Sequence, residues 1–530
     1  MQEFASLLDA LAFTPSRNAK LRLIGDYLRT TPDPARGYAL AALTGALLFT
    51  GAKSLVVRGL VDARVDPELF AMSYDYVGDL AETVALIWPK RPRYAPPPTI
   101  DAVVDELSAA SRAEVPKLLE AWLDVLDADG RWALLKLATG GLRVGVSARL
   151  AKVALAAAFD REAVVIEEVW HGLEPPYPTL FDWLEGNGPM PDPSAGAGFR
   201  PVMLANPLDE AAFDKLDPST YRAEWKWDGV RVQAVSRNGE QRLYTRTGDD
   251  ISSSFPDVVS GFDFNGVIDG ELLVRGQGEP GNDGLTPVAD FSALQKRLGR
   301  KRPSVKLQQS SPGMIRAYDI LFDGNEDVRG KTFDVRRTRL ETWGTAALEV
   351  FDISPLVPFV TWEALSEIRA GARADGIEGL MLKLGSAPYR AGRPQGPWFK
   401  WKRAPLTLDL VVMYAQRGHG RRSSFFSDYT FGAWTEEDAL VPVGKAYSGF
   451  TDKELAVLDK WVRANTTDRF GPVRQVAPGL VFEVAFDAAQ RSTRHKSGVA
   501  LRFPRVKRIR WDKPFEEADR LETVLALAGS

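Results

Sequence analysis

Two textures of apolar and polar positions divide this chain. Up to about residue 185, apolar side chains recur at helical spacing, most clearly over residues 101–126 and 147–159, and Ala and Leu dominate. That period places them on one helix face, so an all-α segment is predicted. Residues 186–198 are rich in Gly and Pro and read as a linker. From residue 199 short alternating runs appear, at 221–227, 231–236, 266–275, 314–322 and 379–384, each bounded by turn residues. Helical runs fall between them at 291–298, 335–342 and 364–374, which makes this part a mixed α+β domain. Beyond residue 402 strands return at 408–415, 429–434, 479–486 and 499–503, with one helix at 452–464. A β-rich tail of this length suits a small barrel. The expected domains are therefore 1–190, 198–402 and 403–530. No repeat of solenoid length occurs.

Composition narrows the chemistry. The 530 residues are 45% apolar and 26% charged, the balance of a folded protein. With no Cys, disulfides, thiol nucleophiles, Fe–S clusters and Cys-based zinc sites are excluded. Three scattered His offer no His-built metal centre, so any metal is expected to be a hard cation on oxygen ligands. No signal peptide or membrane span is visible, and a cytoplasmic protein with no membrane partner is expected.

The net charge of −3 hides a gradient. Residues 1–200 carry −6, residues 201–402 carry −1, and residues 403–530 carry +4. Nine Lys and Arg lie between Arg491 and Lys513 against the single acid Asp512. Such a stripe is either a solvated basic face or a surface that meets a polyanion.

Two glycine motifs carry no chemistry. Residues 276–281 match G-x-G-x-x-G, yet Pro280 and the Asn-Asp-Gly after it leave no helix to receive a pyrophosphate. Residues 324–332 imitate a phosphate loop, but five residues separate the glycines where four are needed, so a hairpin turn is expected there.

The informative segment is Ala223-Glu-Trp-Lys-Trp-Asp-Gly-Val-Arg231. It is followed by Arg246-Thr-Gly248, Ile268-Asp-Gly-Glu-Leu-Leu273 and Ala317-Tyr-Asp-Ile-Leu321. Then come Asp375-Gly-Ile-Glu-Gly-Leu-Met-Leu-Lys383, Trp398-Phe-Lys-Trp-Lys402 and Arg502-Phe-Pro-Arg505. These residues, in this order, resemble the motif set of covalent nucleotidyltransferases, the ligase and capping-enzyme superfamily. The helical part carries a basic turn, Thr139-Gly-Gly-Leu-Arg-Val-Gly-Val-Ser147, similar to one in the DNA-binding domain of ATP-dependent DNA ligases. Nearly the whole chain thus resembles the three-domain bacterial ATP-dependent DNA ligases. The resemblance implies an all-α DNA-binding domain, an α+β nucleotidyltransferase core with ATP-grasp-like antiparallel sheets, and a C-terminal β-barrel of OB type.

The chemistry asks for such residues on its own account. Joining a 5′-phosphate to a 3′-hydroxyl requires a leaving group on that phosphate. A lysine supplies one by taking AMP from ATP as a phosphoramidate and releasing pyrophosphate. Its amine must be deprotonated, so cations and a metal are expected around Lys226.

The resemblance then implies a role for each matching position. Lys226 is the nucleophile. Glu224 reads adenine, Arg231 touches phosphate, and Arg246 and Glu271 lie near the ribose and metal. Tyr318 stacks on the base and Met381 closes its other face, although both also fit plain core positions. Glu271 and Glu378 are the candidate metal ligands, with Mg²⁺ expected and Mn²⁺ able to substitute. Lys400 and Lys402 alternate on a strand toward one phosphate.

The family's basic residue four before the motif tryptophan is Pro394 here, and Arg393 beside it takes the assignment. Asp228 either orients its turn or takes part in catalysis, and Glu483 has no assigned role. Arg502 and Arg505 are expected to orient pyrophosphate, while Arg143, Gly145 and Ser147 are expected to contact DNA. Absent cysteines argue against an NAD⁺-dependent ligase, which carries a four-cysteine zinc module. RNA ligase, capping enzyme and a non-catalytic nucleic-acid-binding protein stand as alternatives. Nicked duplex DNA is the expected partner of a monomer, with a repair helicase or nuclease as further partners by analogy.

Overall fold

The structure is a computed structural model. It describes residues 1–49, 51–89, 95–193, 196–278, 285–298, 300–344, 350–371, 376–418, 425–493 and 495–528. Among them no helix is long and apolar enough to cross a membrane. Contacts divide the chain into two compact units: Met1–Asp160 with Ala404–Ser530, and Arg161–Arg403.

The segment Met1–Asp160 is helical, as its spacing predicts, with Leu8, Leu11, Ile24, Leu134 and Leu155 fully buried. The run at 101–126 is two helices, Ile100–Ala109 and Val115–Val125. Ala110 turns extended (φ −68°, ψ 138°), and Pro116 opens the second helix. A prolyl ring fits a first helical turn but not an interior, so the apolar period runs on across a real break.

The unit Arg161–Arg403 holds eleven strands among its described residues: β1 Asn206–Pro207, β2 Tyr221–Trp227, β3 Val230–Arg237, β4 Glu240–Thr245, β5 Gly266–Val274, β6 Gly313–Asp323, β7 Glu326–Asp327, β8 Phe351–Ile353, β9 Leu356–Val357, β10 Ile377–Leu384 and β11 Trp398–Lys402. One sheet runs β1-β11-β10-β2-β9. The other runs β4-β3-β5-β6-β7, with β8 on β6. All pairs are antiparallel except β1 with β11 and β6 with β8. The first sheet packs Tyr221, Ala223, Leu380, Leu382 and Trp401 against Trp362 and Leu365. Alternation therefore turns Glu224 and Lys226 to the opposite face.

Contacts place residues from Arg161 onward with the sheets. Charge and ring packing account for this. Glu168, on the helix Ala163–Val169, pairs with Arg329 and lies 3.6 Å from Arg200. His171 packs edge-on to Phe199 and Tyr244, at 5.2 Å each. Gly324 and Asn325 form the tight β6–β7 hairpin (Asp323 opposite Glu326), so the false phosphate loop is a turn. Of the other glycine motif, residues 279–281 lie outside the described residues.

The segment Ala404–Ser530 carries β12 Leu406–Arg417, β13 Phe426–Trp434, β14 Leu440–Ala446, β15 Thr466–Phe470, β16 Val473–Val476, β17 Val481–Phe486, β18 Ala488–Arg491, β19 Val499–Arg502 and β20 Arg505–Arg510. Long β12 pairs with β13 on one side and shares its other side between β16 and β17, and β17 in turn pairs with β20. Among the described residues, no pairing joins β14 or β15 to β20 into a closed ring. The helix Asp452–Asn465, capped by Thr451 and Glu454, buries Leu455, Leu458 and Val462 in a core with Phe431, Phe482 and Phe486.

Candidate active site

Strand register builds the site. On β2, β10 and β11, Lys226 stands opposite Gly379 and Gly379 opposite Lys402. One step along, Glu224 stands opposite Met381 and Met381 opposite Lys400. Two rows of side chains thus cross three strands on the face turned away from the Trp362 core. Gly379 (φ +148°) admits no side chain, because a Cβ there would lie 2.3 Å from the Trp401 carbonyl oxygen.

Strict alternation would send Glu378 to the opposite face. The register shift between Ile377 and Gly379 inserts it as an extra residue, a bulge that re-aims its side chain. Lys226 donates to Glu378 Oε2, and Lys402 Nζ lies 3.3 Å from the same oxygen. Burial alone would raise the Glu378 carboxyl, but the two lysines outweigh it and hold it below the usual carboxylate range.

The second sheet supplies the facing groups. Gly229, in the turn after Lys226, passes so close to β5 that a Cβ would meet the Leu272 carbonyl at 2.5 Å and Glu271 Cγ at 2.8 Å. The glycine of the Lys-x-Asp-Gly motif is thus required by close approach. The Asp228 N–H donates to Gly376 O at 2.7 Å, tying this turn to the chain before β10. Arg231 pairs in register with Glu271. Its guanidinium donates to Asp269 Oδ2 (2.6 Å), Met203 O (2.6 Å) and Tyr389 Oη (3.0 Å), and lies 5.8 Å from the Tyr318 ring centre.

Burial drives the Glu271 carboxyl up to about 7. Lys226 and Arg231 pull against that rise, and Glu378 and Asp228 add to it. Burial likewise pushes the Tyr318 hydroxyl well up. Lys400 moves the other way. Burial lowers its amine, and Arg393, Lys402, Lys226 and Arg246 lower it further. Five cations therefore share one field, including Arg246 on an exposed turn and Arg393 on an exposed loop.

Some important side chains carry no role in the sequence reading. Glu224 is buried, with Oε2 at 2.6 Å from Lys383 Nζ and Oε1 at 3.0 Å from Arg337 Nη1. Alternation after Met381 could have marked Lys383 as a site residue. Arg337 sits on a helix more than a hundred residues from Glu224, and no spacing signals it. Asp269 and Tyr389, joined by a 2.5 Å hydrogen bond, belong to the same group.

The remaining expected residues lie in the other unit. Arg505 pairs with Asp487 at 3.0 Å, and the Arg502 backbone carbonyl accepts from the Asp487 N–H at 3.0 Å. Glu483 pairs with Lys507 and Arg508 across β17 and β20, which gives it a structural part. Arg143 and Gly145 both have positive φ (44° and 67°), and Lys20 Nζ grips their turn through the Val144 and Gly145 carbonyls at 2.6 and 3.1 Å. Ser147 Oγ accepts from the Leu150 N–H at 3.2 Å and caps the helix Ala148–Ala158.

Residues 202–402 match a family model described as the ATP dependent DNA ligase domain, and residues 422–513 match the ATP dependent DNA ligase C terminal region. A "Probable DNA ligase" of Koribacter versatilis is 32% identical, over 98% of this chain and 95% of its own length. The chain belongs to the ATP-dependent DNA ligase family. This ligase is also 32% identical to "DNA ligase 1" of Korarchaeum cryptofilum, over 99% of this chain and 97% of that one. The solved structure named Pmar-Lig_Pre shares its fold, with a TM-score of 0.60 at 16% identity, covering 96% of this chain and 99% of that one. The ligase uses ATP and acts on nicked DNA. That separates it from the RNA-ligase, capping and non-catalytic alternatives.

Proposed function

We propose that Lys226 is the nucleophile that carries AMP, and that the ligase seals nicked duplex DNA in three transfers. The observation that carries this is the register of β2, β10 and β11, which sets Lys226, Lys400 and Lys402 on one face with Glu378 clamped between two amines. The Lys226 nitrogen attacks the α-phosphorus of ATP, an N–P bond forms, and pyrophosphate leaves with the electron pair of the broken P–O bond. Attack needs the nitrogen lone pair, so the Lys226 ammonium first gives up a proton, to Glu378 or to solvent, and the neutral amine can still donate N–H to Glu378. AMP then passes to the DNA 5′-phosphate, and the 3′-hydroxyl oxygen displaces it. Lys400, Lys402, Arg246 and Arg393 surround the phosphates, so charge developing on their oxygens meets fixed cations. Tyr318 and Met381 flank the base, Glu224 reads its edge, and Arg231 is held ready by Asp269 and Tyr389.

Glu271 and Glu378 fit a hard divalent cation. Burial, against the pull of Lys226 and Arg231, lets Glu271 keep a proton up to about pH 7, and a bound cation would take that proton's place. Two carboxylates plus substrate phosphates are a donor set that Mg²⁺ accepts, and Mn²⁺ would substitute. Bound there, the ion would withdraw charge from the phosphate oxygens.

The same reading assigns residues 1–190 to DNA binding through Arg143, Gly145 and Ser147, residues 198–402 to adenylation, and residues 403–530 to an OB-type barrel. Arg502 and Arg505 of that barrel would orient pyrophosphate. A cytoplasmic monomer that works beside a repair helicase or nuclease completes the proposal. The test supplies Lys226→Ala with nicked DNA whose 5′-phosphate already carries AMP. Sealing of that substrate without ATP, and none of an ordinary nick with ATP, is expected. Equal sealing of both would contradict the assignment.

A further inference from the structure

The helix Phe333–Gly344 presents two consecutive arginines, and each reaches a different sheet. Neighbours on a helix diverge by roughly 100° (3.6 residues per turn), which lets one turn of backbone serve two walls. Arg336 makes a two-point pair with Asp319 of β6, Nε to Oδ1 at 2.7 Å and Nη2 to Oδ2 at 3.0 Å, with both side chains fully buried. Arg337 Nη1 donates to Glu224 Oε1 of β2 at 3.0 Å and to the Ser354 carbonyl at 2.8 Å, while its Nε holds Glu341 at 2.7 Å. Asp319 adjoins Tyr318, and Glu224 lies two residues before Lys226. Lys383 closes the circuit, since its Nζ contacts Glu224 Oε2 at 2.6 Å and donates to the Tyr318 carbonyl at 3.0 Å.

An ionised carboxylate only accepts hydrogen bonds. The group it would read on adenine is therefore the exocyclic amino group, the donor at C6. Guanine and hypoxanthine place a carbonyl oxygen there, which a fixed carboxylate repels. Such discrimination needs an acceptor that does not move. Glu224 is buried, with Oε1 held by Arg337 and Oε2 by Lys383, so that condition is met.

We propose that Arg337 is a positioning residue for nucleobase selection: it fixes the Glu224 carboxylate as acceptor for the adenine amino group and thereby sets the preference for ATP over 6-oxopurine triphosphates. This rests on the reading of Glu224 as the base-contacting residue.

The test measures self-adenylylation or its equivalent with ATP, GTP and ITP. The whole chain is compared in wild type, Glu224→Gln, Arg337→Gln and Arg337→Lys, each checked for folding by its thermal transition. The ratio of kcat/KM for ATP to that for ITP is expected to fall about tenfold or more in Arg337→Gln. Arg337→Lys keeps the charge without the fork and is expected to lie between. Glu224→Gln is expected to fall at least as far as Arg337→Gln. A wild-type ratio in both Arg337 variants, with a collapsed ratio in Glu224→Gln, would overturn the proposal and leave the base reading intact. A wild-type ratio in Glu224→Gln would remove the base reading and the proposal together.

Discussion

Glu271 shows how a single residue can carry a testable signature. Its carboxyl titrates near 7 in the folded chain against about 4.5 when unperturbed, chiefly because it is buried. The folded chain therefore keeps a proton that the unfolded chain has already lost. Stability from this group declines as pH rises from about 4.5 to about 7, and is level above that. The shift corresponds to about 3 kcal/mol. Glu271→Gln is expected to abolish this slope and to be more stable than wild type at pH 8, while losing ATP-dependent sealing. Urea unfolding without divalent metal at pH 5 and pH 8 checks it, and identical pH dependences of the two proteins would refute the burial account. Lys226, Glu271, Glu378 and Lys400 are legible in the sequence through motifs that resemble those of covalent nucleotidyltransferases, although they lie far apart along the chain. Arg337, Asp269 and Tyr389 are not, because they act on site residues from distant positions through buried contacts that no local spacing encodes.

Period and turn chemistry reveal the elements well. The alternation at 221–227 and the helical spacing at 291–298 coincide with β2 and with the helix Phe291–Leu298. Two features escape that reading. The break between Ile100–Ala109 and Val115–Val125 is hidden by an apolar period that continues across it. The bulge at Ile377–Gly379 is hidden because alternation assigns Glu378 to the wrong face, and only paired strands show the extra residue. Gly379 holds that bulge in a conformation other residues rarely adopt, hard against the Trp401 backbone. Gly379→Ala is expected to destabilise the ligase by about 2 kcal/mol or more and to lower self-adenylylation by shifting Glu378 from Lys226. Thermal unfolding combined with a single-turnover assay would reveal it. Wild-type behaviour in both would mean that the close approach can relax.

For the whole molecule, the net charge of −3 obscures how the charges are used. The basic stretch 491–513 is partly neutralised, since Asp512 within it and Glu483 and Asp487 before it engage Arg510, Lys507, Arg508 and Arg505. Under the proposed assignment the acidic helical segment would hold DNA through local cations, of which Arg143 on its positive-φ turn is the one singled out. Arg143→Ala is expected to weaken nick binding and to reduce the slope of log affinity against log salt by about one. Self-adenylylation is expected to stay unchanged. An unaltered salt slope would exclude Arg143 from phosphate contact.

The central claim, that Lys226 carries the adenylate, is met most directly by incubating the ligase with α-labelled ATP and Mg²⁺, denaturing it, and mapping the label to a peptide. Label on the peptide that contains Lys226, absent from Lys226→Ala, is the predicted result. Label retained in that variant, or found on another peptide in the wild type, would contradict it.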